Sequence, residues 1–180
     1  MQPIRVTADA YVEMGALFAG RFEKTELLNG IIYEMPTDGP LTRLWNTVIA
    51  KFLHRSLADK YSVVSHQTLP LGAYWAPSPD HYVFETALGH DAVSGASVLL
   101  VVEVSDTTIA YDLGGKASAY ASNGVREYWV VDANARKVFV HILSAGGIYG
   151  EAVEHGPDDR VAARFIPELE FCISDLFRDR

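Results

Sequence analysis

The chain has 180 residues, 49% of them hydrophobic and 21% charged, and a net charge of −8. That length suits one domain over residues 1–180, burying ~70% of its unfolded-chain surface. The acidic balance argues against a non-specific nucleic-acid binder, which needs clustered Lys and Arg, but not against a metal-dependent nuclease, whose cation-holding carboxylates themselves lower the formal charge.

The longest apolar run, Ser97 to Val104, is far short of the ~20 residues that cross a bilayer, so no membrane partner is expected. Met1 to Asp9 holds no apolar block of signal-peptide type, and the single Cys172 cannot close an internal disulfide. These features predict a soluble protein of the reducing cytoplasm.

Thr7 is positioned to cap a helix from about Ala8 to Phe18, with Asp9 in its first turn and Gly20 ending it. Asn29-Gly30 lies between two apolar runs, Thr25 to Leu28 and Ile31 to Met35, and predicts a β-hairpin. From Leu41 to Leu57 the apolar residues recur at helical spacing, giving an amphipathic helix with one buried face. Tyr61 to Leu71 reads as a strand, Pro77 and Pro79 as a loop, and His81 to Phe84 as a short strand. Ser97 to Val104 predicts a central strand buried on both faces. Tyr111 to Asn123 reads as a helix closed by Asn123-Gly124, followed by a buried strand over Glu127 to Val131. Lys137 to Leu143, Ile148 to Val153 and Val161 to Arg164 would continue as a meander, and Asp175-Leu176 would start a short last helix. This order predicts a mixed α/β (α+β) domain around a central sheet.

Glu103 is the most informative residue. A carboxylate inside a run of valines is costly unless it is paired, protonated or bound to a cation. It is either a ligand or catalytic group opening into a cleft, or a strand-end acid emerging into solvent. Asp80, at the start of a neighbouring strand, could share a hard cation with it; its bland alternative is a turn role after Pro79. Lys116, in the following helix, could return to these acids or remain a solvated surface lysine. Tyr120 lies one turn beyond Lys116 and Asp112 one turn before it. The six histidines show no paired helical spacing and read mainly as surface or packing residues; His81 should point away from Asp80 across its strand.

The segments PSPDHYVF, LLVVEVSDTT and YDLGGKASAYASNGVREYWVVD resemble the Uma2 family of the PD-(D/E)XK nuclease superfamily. TELLNGIIYEM and PELEFCISDLF resemble the family's two ends, so the likeness runs from about Thr7 to Phe177. The resemblance implies a restriction-endonuclease-like mixed sheet flanked by helices, with an N-terminal helix and hairpin. It implies a Mg²⁺ (or Mn²⁺) ion held by Asp80, Glu103 and a backbone carbonyl at Val104, with Lys116 assisting phosphodiester hydrolysis. Glu26 matches an early family acid, an auxiliary residue together with Tyr120. The superfamily's usual lysine position, two residues after the Glu, is Ser105 here, and Lys116 takes that part from the helix. A histidine common near the start of the second helix is replaced by Trp45 or Asn46. The implied partner is nucleic acid, DNA above all, cut by a homodimer. A nuclease-like module that binds without cutting is the alternative, and a purely structural Glu103–Lys116 salt bridge with no cleft is a third reading.

Overall fold

Asn29 and Gly30 adopt φ of 53° and 80°, the pair of left-handed conformations that a two-residue hairpin turn demands. They join β1 (Thr25–Leu28) to β2 (Ile31–Glu34) in an antiparallel ladder that pairs Glu26 with Tyr33. The computed structural model describes residues 4–18 and 24–177.

Before the hairpin, Thr7 caps α1 (Ala8–Glu13), accepting a hydrogen bond from the Ala10 amide. The helix stops at Met14, and a short α2 (Gly15–Phe18) follows, so the expected single helix is split. Gly15, a poor helix former, stands at the break. Gly20 lies outside the described residues. Tyr11 of α1 donates to the Thr25 carbonyl at 2.7 Å and packs with Ala8, Leu27 and Ala76, fixing α1 against the hairpin.

Pro40 occupies the first turn of α3 (Pro40–Ser56), where its missing N–H costs nothing. The helix buries Trp45, Ile49 and Leu53 and keeps Arg43, Thr47, Lys51 and Arg55 exposed. It ends within a residue of its predicted boundary.

The main sheet has six strands in the order β3-β4-β5-β6-β7-β8. They are β3 (Tyr61–Ser65), β4 (His81–Glu85), β5 (Val98–Ser105), β6 (Glu127–Asp132), β7 (Lys137–Ile142) and β8 (Val153–His155). Only β5 and β6 run parallel; the other neighbours are antiparallel. All eight residues of β5 are buried, as its valine run predicts for a strand covered on both faces. On one face Val102 and Val104 pack with Trp45, Ile49 and Leu53 of α3; on the other, Val101 packs with Ala117 and Tyr120.

Three further expectations are corrected. The strand from Tyr61 ends at Ser65, because His66 turns the backbone to φ 53° and Leu69 and Leu71 are buried in a loop. The C-terminal meander stops at β8, which begins only at Val153; β9 (Arg160–Ala162) instead pairs with β10 (Glu170–Cys172) in a separate two-stranded sheet. The helix after β5 is composite: α4 (Ile109–Tyr111), a π-helical turn Asp112–Lys116, and α5 (Ala117–Ser122). Gly114 and Gly115 lie in that wide turn, and a Cβ on Gly115 would meet the Tyr111 ring at 2.8 Å. Single π turns inside helices recur at functional sites. Among the described residues no helix is long and apolar enough to cross a membrane.

Candidate functional site

The β4–β5 register pairs His81 with Val102 and Tyr82 with Val101. Continued by one residue it sets Asp80 opposite Glu103, and the Val104 amide donates to Asp80 Oδ2 at 2.8 Å. Alternation along β5 puts Glu103 on the face of Val101, toward the helix that follows the strand. That helix brings Lys116 and Tyr120 to the same oxygen: Lys116 Nζ lies 3.0 Å from Glu103 Oε1, and the Tyr120 hydroxyl donates to it at 2.7 Å.

The hairpin contributes the third wall. Leu27 and Ala76 bridge the hairpin to the segment before β4, which holds Glu26 under the site with no exposed surface. Lys116 Nζ is 3.8 Å from Glu26 Oε2 and 3.9 Å from Asp112 Oδ1. Thr108 in turn donates to Asp112 Oδ2 at 2.7 Å. Asp80, Glu103, Lys116, Glu26 and Tyr120, taken from the sequence, therefore converge, and Asp112 joins them.

Glu26, Asp80, Glu103 and Asp112 are each less than 5% exposed, and Lys116 is 6% exposed. Lys24 reaches Glu26 from the rim at 3.9 Å. Fully ionised, four carboxylates against these two ammonium groups leave two negative charges, which one divalent cation cancels. The electrostatics register this excess. Burial, with the Glu103 charge behind it, lifts the Asp80 carboxyl to about 7 despite the Val104 amide. Burial likewise raises Glu26 and Asp112. Burial alone would lower Lys116, but Glu103, Glu26 and Asp112 outweigh it and hold its ammonium charged well above the usual lysine range.

Three of the four carboxylates border an open cleft, and Glu26 lies beneath it. Asp80, Glu103, Val104, Asp112 and Lys116 line a cleft of about 250 Å³ whose outer wall is Lys24 and the 35–39 segment. The Glu103–Lys116 bridge is formed, and both of its residues line this cleft.

Sequence reasoning missed Asp38 and His66. His66 Nδ1 lies 3.4 Å from Asp80 Oδ1, and one ligand atom from each of Asp38, His66 and Asp80 fall within 4.8 Å of one another. That spread suits a single ion, so the donor set fits a divalent metal. His66 is exposed, as a surface histidine is expected to be, and it also neighbours Asp80. Its positive φ is the only local oddity, and no sequence pattern announces it. Burial lowers its pKa, which favours the neutral imidazole with a free lone pair. His81, by contrast, accompanies Asn46 in a groove on the α3 side of the sheet and bonds Ser65 Oγ through Nδ1 at 2.8 Å. Trp45 is core, with its indole N–H on the Ala133 carbonyl.

The chain is similar to a crystal structure described as a putative nuclease belonging to DUF820 from Anabaena variabilis ATCC 29413. The two share 17% identity over 97% of this chain and 98% of that one, with a TM-score of 0.73, a likeness of fold. No curated protein matches the sequence. The model of the Uma2 family, described as "Putative restriction endonuclease", matches residues 9–174. The fold is that of a nuclease-like α+β protein, and the chain belongs to the Uma2 family.

Proposed function

We propose that the chain is a metal-dependent endonuclease that hydrolyses phosphodiester bonds in DNA at the Asp80–Glu103–Lys116 cleft. The observation that carries this reading is the buried charge imbalance: four buried carboxylates, three of them lining an open cleft, exceed their two ammonium neighbours by two negative charges, which one divalent cation cancels.

Asp80 and Glu103, with the Val104 carbonyl, are the proposed holders of Mg²⁺ or Mn²⁺, and Asp38 and His66 flank Asp80 as further donors. A divalent cation there supplies Lewis acidity to the scissile phosphate and to the attacking water. The protein's own groups do the rest. The Val104 amide holds Asp80 in one rotamer, and Tyr120 and Lys116 hold Glu103 in one orientation, so the first contacts with the cation are pre-set. Lys116, kept charged by three carboxylates, is a fixed positive group for the developing phosphate charge rather than a proton acceptor. A homodimer would set two such clefts on opposite strands of a duplex.

One observation favours a second reading, a nuclease-like module that binds without cutting: the Lys116 ammonium is already engaged by Glu103, Glu26 and Asp112. Thermal melting under Mn²⁺ and Mg²⁺, together with plasmid cleavage, separates the two. The endonuclease reading expects a rise in Tm with metal and nicking that stops in Asp80→Asn. Metal-insensitive melting without nicking supports the module.

A further inference from the structure

Arg43, Thr47, Lys51 and Arg55 stand four residues apart along α3 and form one exposed ridge. From Pro40 to Ser56 the helix holds no Asp or Glu, in a chain of net charge −8. Among the described residues, none of these three cations is in a salt bridge with a carboxylate. His54 adds a further exposed group beside Arg55. The ridge is one wall of a groove of about 750 Å³ whose other side is the edge strand β3 and its neighbour, through Ser65, His66 and His81.

The groove leads to the acidic cleft. Asp38 lines both, and His66, which also lines the groove, is 3.4 Å from Asp80. Lys and Arg neutralise phosphates, whereas acidic surface repels them, so the ridge offers a polyanion a cationic lane toward the carboxylates. From Arg43 to Arg55 that lane runs ~18 Å along the helix axis, the length of about five base pairs of duplex.

We infer that the α3 ridge is the DNA-backbone track of this protein, holding a phosphodiester strand in the groove so that it enters the cleft past His66 and Asp80. The inference rests on the proposed endonuclease reading and names where its substrate lies. Contacts of this kind fix position and carry no base sequence, so the track binds DNA irrespective of sequence and leaves any specificity to other surfaces.

The test is fluorescence anisotropy of a labelled DNA duplex over a salt series, with wild type, an Arg43→Ala/Lys51→Ala/Arg55→Ala triple variant, and a control triple variant, Lys60→Ala/Lys137→Ala/Arg160→Ala. The control removes the same formal charge from three cations elsewhere, each paired with a surface carboxylate. The ridge variant is expected to bind at least ~10-fold more weakly at low salt, with a slope of log K against log salt shallower by about 2 to 3. The control should lie within about threefold of wild type. Equal weakening of both, or an unchanged ridge variant, overturns the track, as does a wild type that binds acidic-lipid vesicles but no DNA. Hydrolysis of bis(p-nitrophenyl) phosphate under Mn²⁺ reports the cleft without the track. If it persists in the wild type and in an unimpaired ridge variant, the track alone is wrong; its absence in the wild type sinks the endonuclease reading.

Discussion

The Lys116 ammonium lies 3.0 Å from the Glu103 carboxylate, joining a central strand to the π turn of the helix that follows it. With both groups about 95% buried, this pair is the interior's chief positive–negative contact, and it leaves three further carboxylates around it undercompensated. Removing the cation alone, by Lys116→Met, should destabilise the fold by about 3–5 kcal/mol at pH 8. Adding Glu103→Gln should recover part of that loss. Urea denaturation of the single and double variants measures both effects, and a neutral Lys116→Met would mean that the surrounding acids are already protonated.

Asp80 should cost the metal-free protein stability. Its folded pKa, about 7, is above the ordinary 3.8. The folded state therefore binds this proton more tightly than the unfolded state, and stability present below pH 3.8 is lost as pH rises through 7. The histidines work oppositely: His81 is depressed by burial to about 3, so its contribution is lost as pH falls. Above pH 6.5 only the carboxyl effect remains. Asp80→Asn, which can still accept from the Val104 amide, should leave the metal-free protein more stable than wild type at pH 8, by about 4 kcal/mol at most, with little difference at pH 4. Melting curves at the two pH values decide it; a less stable Asn variant at pH 8 would contradict the charge imbalance.

Much of this site is legible in the sequence because its parts are local patterns. A valine run with one acid identifies β5 and Glu103, an Asn-Gly pair identifies the hairpin that carries Glu26, and the apolar period of α3 identifies its buried face. What places Asp80, Lys116 and Tyr120 beside Glu103 is strand register and helix return, and those positions were singled out by family resemblance. Asp38 and His66 escaped because they meet only where the loop before α3 folds against the end of β3, a contact with no spacing rule. The π turn was hidden for a similar reason: a Gly-Gly pair in a helical pattern tolerates several turn widths. A strand near β9 is read but its partner β10 is not, because a three-residue strand paired across a loop carries no periodicity to read.

His66 gives the site a nitrogen donor beside oxygen ligands, and imidazole contributes more to Mn²⁺ than to Mg²⁺. Wild type should hold Mn²⁺ more tightly than Mg²⁺, and His66→Ala should narrow that gap by roughly tenfold. Isothermal titration with each ion measures it. An unchanged ratio would place the ion on the Glu103 side of Asp80 alone.

Tyr120 is 1% exposed and donates to the Glu103 oxygen that Lys116 also holds. Tyr120→Phe should cost about 1.5–3 kcal/mol, the range for hydrogen bonds to charged partners. It should slow cleavage by loosening Glu103 while leaving the Asp80–His66 side of the metal site intact. A variant slowed in cleavage with unaltered Mn²⁺ affinity supports that division; lost Mn²⁺ affinity would show that Glu103 orientation governs binding as well.

The most direct test of the proposed endonuclease is nicking of supercoiled plasmid DNA under Mn²⁺ by wild type and by Glu103→Gln, purified identically and matched in fold by circular dichroism. The wild type should nick in a metal-dependent way, and the variant should lose roughly 10³-fold or more of that activity. Nicking by Glu103→Gln at the wild-type rate, or none by a wild type that has bound Mn²⁺, would contradict the endonuclease reading.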